Sequence, residues 1–290
     1  MHPAPSVILF STLSGLGFGF LAFLGWGALS PSGWTAFFLW GMGYGLTVAG
    51  LLAAAFHLGN PKNALKAFTQ WRTSWLSREA WASVTTLVAL APMALSDILA
   101  IGLPRLIGQV GGTLALVTVF TTAMIYAQIK AVPRWHHWLT PVMFLTFALA
   151  GGAMLSGCVW APVLLLAVGA VLLALWQVGD QAFAKAGQTM GSATGLDRLG
   201  VPSVLDPAHT AGNYLKREMI FVVGRKHAAK LRKIALALAS VAPVLVLLLP
   251  LGLWGIAMAT VLHVTGALTA RWLFFAEAEH VVGLYYGARG

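Results

Sequence analysis

The sequence predicts an all-α, polytopic integral membrane protein with eight transmembrane helices. Three observations carry that reading. Of 290 residues, 59% are hydrophobic and 9% charged, with a mean hydropathy of +0.82, whereas soluble domains carry about 25% charged residues. Eight apolar runs approach the roughly 20 residues that a bilayer span needs. The charges gather in the links between those runs, which suits a chain whose apolar side chains face lipid.

The runs are Val7–Leu29, Trp34–Leu58, Trp81–Leu103, Val110–Ile129, Leu139–Gly157, Trp160–Val178, Ile234–Leu251 and Leu253–Ala276. The first has no Lys or Arg before it and no A-x-A cleavage site, so it reads as a retained span. Spans 1 and 2 hold Gly15, Gly17, Gly19 and Gly25, then Gly41, Gly43, Gly45 and Gly50. No strand precedes these glycines, so they read as close helix packing and not as a phosphate loop. Short links with Pro or Gly (Ser30–Gly33, Pro104–Gln109, Ala131–Trp138) make neighbouring helices antiparallel, and two four-helix bundles are a possible grouping. Tryptophans near span ends, such as Trp34, Trp40, Trp81, Trp135, Trp138, Trp160, Trp176 and Trp254, suit an interfacial aromatic belt.

Eight spans place links 2, 4 and 6 and both termini on one side. That side holds Lys62, Lys66, Arg72, Arg78, Lys130, Arg134, the many bases of link 6, and Arg271 and Arg289. The other side holds Arg105. The asymmetry fits a cytoplasmic face, or a docking surface for an acidic partner. In a chain this apolar, a net charge of +10 is no sign of nucleic-acid binding. Link 6, Gly179–Lys233, is the one long connection, and Tyr214–Lys233 reads as an interfacial helix leading into span 7. The lone Cys158 excludes an internal disulfide and Cys-ligated iron–sulfur clusters within this chain.

Candidate chemistry centres on HLGNPKNALKAFTQWRTSWLSRE, His57–Glu79. This stretch is too polar to cross lipid, so both its ends lie at one membrane face. His57 closes span 2, and Gly59, Asn60 and Pro61 stop the helix. Ala64, Phe68, Trp71 and Trp75 then recur at helical spacing, as in an element lying on the membrane surface. Ser77 is the expected N-cap of span 3, which puts Glu79 in its first turn. Each residue alone has a plain reading: an interfacial histidine and a helix-stabilising carboxylate. Together they can accept the two protons of a quinol, because His titrates near neutrality and a partly buried Glu can be raised toward it.

The opening MHPAPSVILFSTLSGLGFGFLAFLG and the segment FHLGNPKNALKAFTQWRTSWLSREA resemble the membrane-anchor subunits of dimethyl sulfoxide reductase-type respiratory molybdoenzymes. The resemblance implies a multi-pass protein of the bacterial inner membrane that anchors a molybdopterin catalytic subunit and an iron–sulfur electron-transfer subunit. It implies menaquinol as bound substrate for anaerobic respiration, no haem, and molybdopterin and iron–sulfur clusters in the partner subunits only. His57 and Glu79 match the family's quinol-site histidine and glutamate, with Gly59, Lys62 and Arg72 as further candidates nearby. The residues suggest no metal site and no catalytic residue toward the terminal acceptor.

Other polar residues read as structural. Asp97 lies about 27 Å along a helix from Glu79, near the other membrane face, where it can pair with Arg105. His263 falls in mid-span 8, suiting an interior hydrogen bond, with Arg271 two turns further on the same side. A di-haem cytochrome would need paired histidines on facing spans. A transporter would show ionisable groups at broken helices in mid-membrane.

Overall fold

A computed structural model describes residues 2–56, 61–203 and 227–286. Every regular element among the described residues is helical. Helix α1 spans Pro5–Trp26, α2 Gly33–Ala55, α3 Trp75–Leu99, α4 Arg105–Ala127, α5 Leu139–Leu155 and α6 Ala161–Lys185. α7 runs through Ala228–Leu236, a π-helical turn Ala237–Val241, and Ala242–Leu247, and α8 is Gly252–Ala276. Short turns at Pro61–Phe68, Met190–Thr194 and Val281–Tyr286 complete the described chain.

Six of these helices, α1, α2, α3, α4, α6 and α8, are long and apolar enough to cross a membrane. α5 is apolar but has 17 residues, and α7 is interrupted by its π turn. The expected eight spans are therefore met by length and composition in six cases.

The helices form two groups of four. α1 packs on α2 and α4 while α3 packs on α4 and α2; α5 packs on α6 and α8 while α7 packs on α6 and α8. α1 and α4 both pack on α5 across the divide, and α1 also meets α8, so the two groups are joined mainly through α5. Glycine makes this possible. A Cβ on Gly19 would overlap the Ala148 carbonyl of α5, and one on Gly152 would overlap the Gly19 carbonyl. Gly25 and Gly108 bring α1 and α4 together in the same way, whereas Gly15, Gly41 and Gly45 face open space. Gly19→Ala is accordingly expected to cost about 1–3 kcal/mol of stability by overpacking, and Gly41→Ala nothing measurable. Thermal unfolding of the two variants in detergent checks the contrast.

Ion pairs fix which helix ends lie together. At one end Arg105 Nη2 sits 3.2 Å from Asp97 Oδ1, as expected, and Trp40 Nε1 donates to Asp97 Oδ2 at 3.0 Å. At the other end Arg134 and Arg232 join Asp180 and Glu277, tying the α4–α5 link to the ends of α6, α7 and α8.

Four expectations need correction. α3 starts at Trp75 with Ser74 as its cap, not at Ser77 or Trp81, so Glu79 lies in the second turn. Ser77 is buried instead; its hydroxyl donates to Ala67 O and accepts from Gln70 N, pinning the surface turn to α3. Arg271, counted with the basic side at the C-terminal end of span 8, is 2% exposed inside α8. The tryptophan belt holds for Trp34, Trp138, Trp160 and Trp254, but Trp40 and Trp135 are buried, where their N–H groups find acceptors in Asp97 and the Phe274 carbonyl. α6 extends to Lys185 and α7 begins at Ala228, shortening link 6 from both sides. The expected interfacial helix over Tyr214–Lys233 falls mostly outside the described residues.

Candidate functional site

α3 begins where the surface turn folds back on it. Trp81 Nε1 donates to Phe68 O at 3.0 Å, and the Phe68 and Trp81 rings meet edge to face at 5.4 Å. Arg78 lies over the Trp75 ring at 4.3 Å, while its Nε donates to Trp71 O at 3.0 Å and its Nη2 to Arg72 O at 2.7 Å. One guanidinium thus closes two orphan carbonyls of the link, so the loop is a built structure and not a free tether. Phe68, Trp71, Arg78 and Trp81 line an open cavity of about 470 Å³. Aromatic walls and one cationic donor at a helix start suit a flat ring bearing oxygens.

Glu79 follows Arg78 but points inward, at 5% exposure. Thr122 Oγ1 of α4 donates to Glu79 Oε1 at 3.3 Å, a long bond that Thr122 shares with the Thr118 carbonyl at 3.0 Å. Below it, Ser83 donates to the Glu79 carbonyl and Thr86 meets Thr118, at 2.8 and 3.0 Å. These buried side chains form a polar seam between α3 and α4. Tyr126, one turn beyond Thr122 on the same face of α4, is also buried. A carboxylate held by one long hydrogen bond in an apolar bundle has little to stabilise its charge, so it suits proton exchange.

Of the residues expected at this site, Glu79 is buried against Thr122 of α4 and Arg72 is exposed over Trp71 at 5.6 Å. Lys62 falls in the Pro61–Phe68 turn, its side chain outside the described residues; His57 and Gly59 lie outside them altogether. The sequence reading missed Ser83, Thr86, Thr118 and Thr122. Their spacing carries a signal, since 79, 83 and 86 share one helix face and 118 and 122 another. It also passed over Asp180 and Glu277. Glu277 takes Arg134 at 2.6 Å and Arg232 at 2.7 Å, and Asp180 takes the same two arginines at 3.0 and 2.6 Å.

His263 has the interior hydrogen bond expected of it. Pro243 has no N–H, so it cannot serve the carbonyl of Ala239 four residues back. His263 Nδ1 supplies the missing donor at 2.7 Å. Replacing His263 by Leu is expected to cost about 1–3 kcal/mol by orphaning that carbonyl, readable as a lower unfolding temperature.

A second cavity, about 620 Å³, lies at the opposite end between the α5–α6 and α7–α8 links. Met154, Val159, Pro162, Leu248, Leu253 and Ile256 are among its walls, with Cys158 as its one thiol. It is larger than the first. Among the described residues neither cavity is lined by a carboxylate or imidazole; the smaller one has the aromatic walls and the guanidinium of Arg78, which precedes the buried Glu79 in α3.

The profile of the family described as DMSO reductase anchor subunit (DmsC) matches residues 35–276. A subunit of sulfite dehydrogenase from Allochromatium vinosum is 33% identical over 334 residues, covering 99% of each chain. No solved structure matches the chain.

Proposed function

The chain belongs to the DMSO reductase anchor-subunit family, and from that premise we propose that the start of α3 is its quinone-exchange site. It is a multi-pass membrane protein and the anchor subunit of a molybdoenzyme complex, which implies catalytic and electron-transfer partner subunits. In the proposed reaction a menaquinol enters from the lipid beside Phe68, Trp71 and Trp81. Its two O–H bonds break and two electrons leave singly for an iron–sulfur cluster of the partner. Glu79 takes one proton and His57 the other, and the ring departs as quinone. The molybdopterin subunit then spends the electrons on dimethyl sulfoxide or a like acceptor. The complex sits in the bacterial inner membrane, and the partner docks on the basic end of the bundle.

The observation that carries this reading is Glu79: a carboxylate 5% exposed between α3 and α4, directly following Arg78, which lines the aromatic cavity at the start of α3. A second reading shares the site and reverses the flow. The full-length relative is named for sulfite dehydrogenase. In a complex of that kind, electrons from sulfite would reduce the quinone, and Glu79 and His57 would deliver its two protons. The complex reconstituted in vesicles separates the two. Quinol-driven consumption of dimethyl sulfoxide supports the first, and sulfite-driven quinone reduction supports the second. Failure of both, with dye-coupled activity intact, would refute quinone exchange by this anchor.

A further inference from the structure

Two buried polar atoms find no hydrogen-bond partner among the described residues: Thr12 Oγ1 and Arg271 Nε. They belong to different helix groups, yet both residues line one cavity between α1, α5 and α8, together with His263, Phe147 and Gly15. The cavity leaves about 20 Å³ for the centre of a water-sized sphere, enough for one water and no larger ligand.

The surroundings select the occupant. Thr12 and Arg271 are 6% and 2% exposed, so neither reaches bulk solvent. Arg271 has no carboxylate beside it among the described ion pairs; its guanidinium lies 3.6 Å from the Phe144 ring centroid and 5.3 Å from that of Phe147, with Nη1 3.9 Å from Met143 Sδ. The Arg271 guanidinium is positively charged and donates only, which excludes a cation, while the Thr12 hydroxyl can donate or accept. With His263 Nδ1–H donating to Ala239 O, a neutral ring has its lone pair on Nε2. That lone pair repels an anion but accepts a hydrogen from water.

We propose that this cavity is a binding site for a single water molecule, which accepts from Thr12 Oγ1–H and Arg271 Nε–H and donates to His263. The water is a polar joint between the two helix groups, since Thr12 stands on α1 and the other two partners on α8.

The test uses the assembled complex. A cryo-EM map that resolves ordered water is expected to show density within hydrogen-bond distance of Thr12 Oγ1 and Arg271 Nε. Thr12→Val keeps the shape and deletes the donor, and is expected to lower the unfolding temperature by roughly 2–4 °C; Thr12→Ser is expected to stay near wild type. In a dry cavity Thr12→Val would instead remove an unsatisfied hydroxyl and match or exceed wild type. That result, the absence of density, or equal losses in Val and Ser variants would overturn the proposal. A stability that falls when chloride is replaced by gluconate would also overturn it, by showing an anion as occupant.

Discussion

Replacing Glu79 with Gln is expected to slow quinone-coupled turnover by about 100-fold or more, the usual weight of a positioned proton-transfer group. Gln fits the same space and still accepts from Thr122, so α3 and its seam to α4 should persist. It cannot carry the proton. Dye-coupled activity of the catalytic partner and the amount of assembled complex are expected to stay at wild-type levels. Parallel assays with quinol and with dye read the difference directly. An equal fall in both would assign Glu79 to assembly, and an unchanged quinol rate would remove it from the reaction.

Glu277→Ala is expected to cause the largest loss of stability, about 3 kcal/mol or more, because it breaks a buried ion pair by removing one partner. Glu277 is 5% exposed on its side chain and faces Arg134 at 12% and Arg232 at 24%. Without it, two guanidinium groups face each other across Asp180, whose side chain is 47% exposed. The same four residues join the α4–α5 link to α6, α7 and α8, so the second helix group should loosen at its basic end. Asp180→Ala is expected to cost under about 1 kcal/mol, since water already screens that carboxylate. Thermal unfolding of both variants, with the fraction of complex surviving extraction, checks the ranking.

Hydropathy made the bundle legible, because an apolar run of span length in this composition has little alternative to a lipid-facing helix. The Asp97–Arg105 pair was legible because it is local, closing one turn between α3 and α4. What escaped is long-range. Asp180 and Glu277 looked like link residues until folding brought them to Arg134 and Arg232. Arg271 was legible as part of span 8, but not that it is buried against Phe144 and Phe147 of α5. Ser74 lost to Ser77 as the expected cap because both precede the apolar run, and only the folded chain shows Ser74 accepting from Ser77 N–H while the Ser77 hydroxyl donates to the Ala67 carbonyl. At the candidate site, the sequence found Glu79 but not the threonines beneath it, since hydroxyls in an apolar helix look neutral until a facing helix aligns its own.

The central claim is that the lipid-soluble carrier meets this anchor at the α2–α3 link. Photoaffinity labelling of the complex with an azido-quinone, followed by peptide mapping, addresses it most directly. Adducts are expected within residues 57–81, with labelling competed by unmodified menaquinol. Adducts confined to the walls of the 620 Å³ cavity around Pro162 and Leu253 would contradict the claim and move the carrier to the opposite face.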